Sequence, residues 1–284
     1  MKRIFVPILG DDKDKVALEG AAKLAGNDGA HIDVRLVLRN PADVLPYVGE
    51  GIGATEIATI LDQARKNTDK LEEIAEKTFK AWCKDNKIEI NANFNFGTSS
   101  AHFSVKKGQL PTSILPFAKF ADVSIFAVSN ENDHADRREI FLAAVFESGR
   151  PALIVPQNVP DQIGTRIVIA WNASTESARA VAESMALLKN AEAVYVVTVD
   201  DENDEFQGAE LAGTLRQNGI SASSVNVKDT GSGVSATLAS EAEKVSADMI
   251  IIGAYSHTRL REMVFGGVTQ DLHDHPTVPV LMIH

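Results

Sequence analysis

The chain has 284 residues, 44% of them hydrophobic and 24% charged, which is the balance of a globular protein with one large domain or two ordinary ones. Its formal net charge of -11, without a cluster of Lys and Arg, argues against non-specific binding of nucleic acid. The single cysteine, Cys83, excludes an internal disulfide and a thiolate metal cluster, and no apolar run reaches the length of a membrane span, so we expect a cytoplasmic protein without membrane insertion.

The first half of the chain alternates between strand and helix signals. Short β-branched runs predict strands, and apolar residues at helical spacing predict helices. The predicted strands cover residues 2–9, 32–38, 123–128 and 152–155, and the predicted helices cover residues 12–26, 55–86, 111–120 and 136–148. Residues 88–96 alternate as a strand does, whereas the internal repeat favours a strand at 102–106, and we expect a hairpin that uses both.

The second half repeats the scheme in a more compact form. The predicted strands cover residues 166–171, 193–199, 222–228, 249–252 and 278–283, and the predicted helices cover residues 175–188, 205–218, 234–245 and 269–274. Strands that alternate with helices predict right-handed βαβ units and a parallel sheet with helices on both faces.

The two halves align as copies of one domain. The strand at Arg3 corresponds to the strand at Arg166, and Pro151 corresponds to Pro279. The shared order of elements predicts a tandem duplication, with domains at residues 1–158 and 164–284. The first domain is longer chiefly because it contains the long helix predicted at 55–86.

A glycine-containing stretch follows the predicted strand at 249–252 and leads into the next helix. Its spacing is G-x2-S-x9-G-G-x-T, formed by Gly253, Ser256, Gly266, Gly267 and Thr269. A strand that feeds a glycine-rich turn and then a helix N-terminus is an arrangement that holds phosphate, because the first helical turn has unpaired N–H groups. The stretch therefore predicts an anion or nucleotide site.

This stretch resembles the universal stress protein family, whose nucleotide-binding members hold ATP at a glycine, two residues, a glycine, nine residues, a glycine and then Ser or Thr. Here Ser256 replaces the second glycine, and Gly267 occupies the Ser/Thr position with Thr269 two residues later. A serine forced into a left-handed conformation costs about 1–2 kcal/mol, which weakens nucleotide binding without excluding it. The resemblance covers nearly the whole chain and implies an α/β protein of two tandem Rossmann-like domains, each with a doubly wound parallel sheet.

The resemblance also implies the composition of the site. The family has an acidic residue at the end of its first strand, followed by Gly-Ser, and this chain has Asn172, Ala173 and Ser174 there. In a doubly wound sheet, strand order reverses between the first and fourth strands, which brings Asn172 beside Gly253. The implied cofactor is ATP or AMP, with Mg²⁺ only as the companion of ATP. The candidate binding residues are Asn172, Ser174, Gly253, Ser256, Arg259, Gly266, Gly267 and Thr269.

The first half lacks this motif. After its fourth strand, residues 129–138 contain no glycine and several acids, and Leu9 stands where the family has its strand-end acid. Carboxylates compete for the positive end of a helix and repel a polyphosphate. We therefore expect no nucleotide in the first domain.

Enzyme and metal chemistry are weakly supported by the sequence. His257 follows Ser256 directly, but adjacency in a loop does not provide the geometry of a base and a nucleophile, so we expect no dedicated catalyst and at most slow ATP hydrolysis or autophosphorylation. A run of acids and histidines resembles a ligand cluster, although neighbouring residues on a helix point apart. These residues are Asp271, His273, Asp274 and His275.

Two functions remain open at this stage. One is a stress-response binding and regulatory protein with an ATP or AMP site in its second domain. The alternative is a nucleotide-free interaction scaffold in which the helix at 55–86 is a partner surface or lid. In either case we expect the last strands, at 152–155 and 278–283, to join the two domains, and two chains to associate further as a homodimer.

Overall fold

The structure is a computed structural model that describes residues 1–26, 29–40, 53–93, 97–129, 135–199, 205–229, 231–254 and 267–284. The strands are β1 (Arg3–Ile8), β2 (His31–Leu38), β3 (Glu89–Ile90), β4 (Ser100–Lys107), β5 (Val123–Ala127), β6 (Ala152–Val155), β7 (Arg166–Ala170), β8 (Ala193–Val199), β9 (Ala222–Val227), β10 (Met249–Gly253) and β11 (Val280–Ile283). The helices are α1 (Asp14–Ala25), α2 (Ala54–Asp85), α3 (Leu110–Ala118), α4 (Ala135–Glu147), α5 (Thr175–Leu188), α6 (Glu205–Gln217), α7 (Val234–Lys244) and α8 (Gly267–Asp274).

The described strands form one eleven-stranded sheet in the order β3-β4-β2-β1-β5-β6-β11-β10-β7-β8-β9. Every neighbouring pair is parallel except β6 with β11. In each half the chain starts in the middle of the sheet, winds outwards and returns to the other side. The predicted α/β class and doubly wound topology are therefore confirmed, with the reversal between β1 and β5 in the first half and between β7 and β10 in the second.

The two half-sheets join through the last strand of each half, as predicted. Leu281 pairs with Leu153, Val280 with Ile154, and the strands run antiparallel. Because of that direction, the carboxyl ends of the strands lie at opposite edges of the sheet in the two halves. Any ligand site at a carboxyl edge in one half is therefore far from its counterpart in the other half, and helices near the junction run from one edge towards the other.

Helices cover both faces of the sheet, and each face has a hydrophobic core that continues from one half into the other. Helices α1, α2, α5 and α6 pack on one face, and α3, α4, α7 and α8 pack on the other. Every residue of the two joining strands, β6 and β11, is buried. A parallel sheet covered in this way needs apolar side chains on both faces of its strands, which explains their β-branched runs.

The predicted hairpin between residues 88 and 106 is wrong. The strands β3 and β4 run parallel, with Glu89 opposite Ser100, and β4 pairs with β2 over eight residues. The alternating pattern breaks at Asn91, whose Oδ1 accepts the N–H of Asn93 at 2.9 Å and turns the chain away from the strand. The outer strand is therefore only two residues long, and its Ile90 is 54% exposed.

Among the helices that the structure describes, none combines the length and the apolar character that crossing a membrane requires.

Candidate functional site

The turn between β7 and α5 forms the centre of the carboxyl edge in the second half. Ser174 caps α5: its Oγ accepts the N–H of Ser177 at 3.2 Å, and its carbonyl accepts the Ser177 hydroxyl at 2.9 Å. Asn172 Oδ1 accepts the N–H of Ser174 at 3.2 Å, which shapes the turn. Both Asn172 and Ala173 are exposed, so the turn presents its backbone to solvent.

Gly253 ends β10 directly beside this turn, as predicted from the topology. Ile252 pairs with Ala170, and a Cβ atom at Gly253 would lie 2.4 Å from both the carbonyl carbon of Glu176 and the nitrogen of Ser177. No side chain fits there, because real Cβ contacts are not that short. Close packing of α5 on β10 therefore accounts for the glycine, whether or not a ligand binds.

Ala173 has a backbone strain that glycine would not have. Its φ of 55° is in the left-handed region, and the matching residue of the first half is Gly10, with φ 87°. A residue with a Cβ atom loses about 1–2 kcal/mol in this conformation. The turn thus keeps the shape of a glycine turn although the glycine is absent.

The structure places the remaining candidate residues as follows. Gly267 is exposed and begins α8, two residues before the predicted start, so Thr269 lies within the helix and does not cap it. Thr269 is also buried, at 6% exposed, within the packing of α8. Ser256, Arg259 and Gly266 lie outside the described residues. The structure therefore brings Asn172, Ser174 and Gly253 together, and places Gly267 at a helix N-terminus.

The equivalent turn of the first half is occupied by a side chain of the chain itself. The Asp14 carboxylate accepts the N–H groups of Leu9 at 3.1 Å, Gly10 at 2.7 Å and Asp11 at 3.2 Å. Arg137 of α4 donates from Nη2 to Asp11 Oδ1 at 2.6 Å and to Asp14 Oδ1 at 3.2 Å. A carboxylate thus sits where the turn could otherwise bind an anion.

The centre of this ion cluster is buried, since Arg137 is 1% exposed and Asp14 is 2% exposed, whereas Asp11 lies at its partly exposed rim. Burial raises the pKa of the Asp14 carboxyl, while Arg137 and the backbone N–H donors act in the opposite direction. Lys13 Nζ donates to the carbonyl of Val128 at 3.1 Å and so links the turn after β1 to the residue after β5. Two carboxylates and two cations therefore fill the crevice of the first half.

The long helix α2 covers the same turn from the other side. A Cβ atom at Gly10 would lie 3.0 Å from Leu71 Cδ2, so Leu71 packs directly on the glycine. Sequence reasoning identified Leu9 and the acids after β5 as unfavourable for nucleotide but missed Asp14, Arg137 and Leu71. The available signal was the pair of acids at Asp11, in the turn before α1, and Asp14, at its first position, beside an apolar helix face.

The two halves differ at matching positions of this turn. When Arg3 is aligned with Arg166, Leu9 and Gly10 match Asn172 and Ala173, and Asp14 matches Ser177. Ser177 is 1% exposed, and among the described residues its hydroxyl bonds to Ser174. In the part of the chain that the structure describes, the N–H groups of Asn172 and Ala173 have no assigned acceptor. The second half therefore leaves free the donors that the first half satisfies internally.

The run of acids and histidines on α8 has structural partners. His273 is 4% exposed, and its Nδ1 lies 2.6 Å from Asp274 Oδ1, while Asp271 accepts the hydroxyl of Ser235 at 2.9 Å. Burial lowers the pKa of His273. Within the described ranges, no three His, Cys, Asp or Glu side chains are arranged to hold a metal ion. Burial also raises the pKa of the Cys83 thiol to about 12, which makes it unreactive.

Comparison with known proteins agrees with this architecture. Residues 165–284 match the family model described as the universal stress protein family. A universal stress protein from Archaeoglobus fulgidus DSM 4304 superposes with a TM-score of 0.68 and 14% identity, over 99% of this chain and 96% of that one. A functionally unknown protein from Pseudomonas aeruginosa PAO1 gives a TM-score of 0.56 and 15% identity, over 99% and 92% of the two chains. No curated protein matches the chain in sequence.

The structural matches establish the fold of the whole chain, and the family match establishes the kinship of its second half. Residues 165–284 are therefore a domain of the universal stress protein family, and the full length of the chain has the fold of two such domains in tandem.

Proposed function

We propose that the second half binds ATP or AMP and that the chain is a stress-response binding and regulatory protein without a dedicated catalytic site. The observation that carries the proposal is the free pair of N–H groups at Asn172 and Ala173, in a turn whose counterpart in the first half is filled by the Asp14 carboxylate. Two adjacent N–H groups at a helix N-terminus suit a phosphate or a ribose oxygen.

Local electrostatics also favour an anion at this turn. Position 172 holds a neutral amide in place of an acid, and position 177 holds a hydroxyl where the first half has a carboxylate. Helices α5 and α8 both begin at this edge, each with a partial positive charge at its N-terminus. These features offset the overall charge of -11, which otherwise repels a nucleotide.

The residues proposed to hold the nucleotide are those of the turn and the two glycines around the motif. Asn172, Ser174, Gly253 and Gly267 belong to the described part of the chain, and Ser256, Arg259 and Gly266 complete the motif in sequence. Mg²⁺ would enter with ATP and needs no site of its own. Thr269 keeps at most an indirect role through α8, because its side chain is buried.

The test is to install the carboxylate of the first half in the second. In Ser177→Asp the new carboxylate is expected to take the N–H groups of Asn172 and Ala173, so that ATP affinity measured by calorimetry falls at least about 100-fold. Ser223→Asp adds the same charge on the exposed strand β9 and should leave ATP affinity unchanged. Absence of heat from wild-type protein at millimolar ATP and AMP, with no nucleotide mass adduct in native mass spectrometry, would refute the proposal.

A second candidate, a nucleotide-free interaction scaffold, is favoured by the length of α2. Leu71 packs on Gly10 at the carboxyl edge of the first half, and residues 55–70 lie beyond it as mostly exposed helix, about 24 Å long at 1.5 Å per residue. Ile57, Ile60 and Leu61 form a half-buried apolar stripe there. If wild-type protein binds neither ATP nor AMP, this helix is the proposed contact surface for a protein partner.

Association of two chains stays a prediction. The strands β6 and β11 pair with each other within one chain, so a homodimer would form through other surfaces. Its test is the mass of the particle in solution by multi-angle light scattering. Cytoplasmic location is likewise a prediction from composition.

A further inference from the structure

Helix α4 of the first half contacts the second half near its candidate site. Because β6 and β11 are antiparallel, the C-terminal end of α4 lies at the carboxyl edge of the second half. There the Phe146 ring meets the His284 ring edge-on, with centroids 4.9 Å apart and an interplanar angle of 73°. An aromatic side chain of one domain thus supports a residue that follows the last strand of the other.

His284 holds the chain directly after Gly253. Its Nδ1 donates to the carbonyl of Ala254 at 3.1 Å, since a carbonyl oxygen can only accept. The N–H of Ala254 in turn donates to the carbonyl of Ile283 at 2.7 Å, and Ala254 is fully buried. Both backbone polar groups of Ala254 are therefore fixed at the point where the glycine motif leaves β10.

A second contact of the same kind supports α8. The Phe141 ring of α4 packs against the His273 ring with centroids 4.7 Å apart, and it packs edge-on against Phe126 at 5.3 Å. His273 lies on the helix whose N-terminus is Gly267. Helix α4 therefore contacts both elements that flank the motif, at Ala254 through His284 and at α8 through His273.

We propose that α4 of the first half positions the nucleotide site of the second half, with Phe146 and Phe141 as positioning residues that act through His284 and His273. This inference rests on the proposed function and explains how a domain with a filled crevice contributes to the one that stays open. Coupling of this kind is reciprocal, so bound nucleotide also strengthens the packing of α4 against the second half.

The test compares Phe146→Ala with Phe120→Ala. Phe120 is 72% exposed in the same half, so its truncation controls for loss of an aromatic ring away from the junction. Hydrogen exchange of the Ala254 amide, measured without nucleotide, is expected to be about tenfold faster in Phe146→Ala, and ATP affinity about tenfold weaker, in line with the loss of one aromatic contact. Both quantities should keep their wild-type values in Phe120→Ala.

The readouts separate this inference from the proposed function. Faster Ala254 exchange together with no ATP binding by wild-type protein would support the positioning of Ala254 and refute nucleotide binding. The inference is overturned if the Ala254 amide of Phe146→Ala exchanges at the wild-type rate. If wild-type protein binds ATP, faster Ala254 exchange in Phe146→Ala together with an unchanged ATP affinity would also overturn it. If Phe146→Ala does not fold, Phe146→Leu keeps most of the volume without the ring, and a smaller change of the same sign is expected in both measurements.

Discussion

The first half satisfies the N–H groups of its β1–α1 turn with the Asp14 carboxylate, whereas the second half leaves the matching groups of Asn172 and Ala173 to solvent. The difference arises from few positions, since Asp14 is matched by Ser177, and the alignment of Pro151 with Pro279 places Phe265 at the position of Arg137. Two copies of one fold can therefore differ at this turn, because an internal ion pair in one half takes the N–H groups that have no partner among the described residues in the other.

Other features are kept in both halves because they serve the fold. Asp122 accepts the N–H groups of Lys2 at 2.6 Å and Arg3 at 3.0 Å, at the start of the first strand. The matching Asp248 accepts those of Gly164 at 2.8 Å and Thr165 at 3.0 Å. The same aspartate thus ties β1 to β5 in the first half and β7 to β10 in the second, and its retention marks it as structural.

The largest expected effect comes from breaking the ion cluster of the first half. Arg137→Met leaves the buried Asp14 and the partly exposed Asp11 without the guanidinium that pairs with both, which should lower the free energy of unfolding by about 3–5 kcal/mol in urea titration. Arg39→Met removes an exposed arginine from its pair with Asp136 and should cost less than about 1 kcal/mol. Equal losses in the two variants would show that the cluster does not stabilise the first half.

The next effect concerns the two structural aspartates. Asp248→Ala leaves three partly buried N–H groups without an acceptor and should cost about 2–3 kcal/mol. Asp122→Ala exposes its two N–H groups to water and should cost about 1 kcal/mol. Thermal and urea unfolding of both variants test which loss is larger. A larger loss of stability in Asp122→Ala than in Asp248→Ala would contradict the conclusion that Asp248 is the more buried of the two aspartate contacts.

Stability should also depend on pH through His273. Burial holds its pKa below the ordinary value of 6.5 in the folded chain, so the unfolded chain binds more protons as the pH falls below 6.5. The stability that the neutral His273 contributes is therefore fully present above pH 6.5. It is lost as the pH falls through the pKa of His273 in the folded chain, at up to about 1.4 kcal/mol per pH unit.

His273→Phe should flatten this dependence. The pKa of His31 is also lowered by burial, so only the difference between wild type and variant reports on His273. The charged groups that act on His273 are Asp274 on α8 and Arg138 on α4, and neither is removed in the variant. Parallel stability curves between pH 7.5 and 5 would show that His273 is not a source of acid sensitivity.

The smallest expected effect tests the strained turn. Ala173→Gly relieves a left-handed conformation and should raise the free energy of unfolding by up to about 1 kcal/mol. Ala178→Gly, an exposed position within α5, should lower it by about 1 kcal/mol because glycine weakens a helix interior. A loss of stability in Ala173→Gly would mean that the turn is not strained.

Sequence periodicity predicted most of the fold because the sheet is buried on both faces and its helices are long. The helix expected at 55–86 is α2 (Ala54–Asp85), and the repeat predicted the joining of the last strands. The hairpin was wrong because alternation in residues 88–96 says nothing about strand direction.

The candidate site was less accessible to sequence reasoning. Motif spacing located the turn and Gly253, but the steric need for glycine there depends on how closely α5 packs, which no local pattern contains. The pairing of Arg137 with Asp14 joins residues 123 positions apart, so neither residue alone indicates a filled crevice.

The most direct test of the contrast between the halves is an amide NMR titration of wild-type protein with ATP. We expect the Asn172 and Ala173 amide resonances to shift on addition of ATP, because their N–H groups are free to bind it. The Leu9 and Gly10 resonances should stay in place, because Asp14 already accepts from those groups. Unchanged resonances at all four amides in millimolar ATP, or shifts confined to Leu9 and Gly10, would contradict the claim that the second half alone has turn N–H groups free to bind ATP.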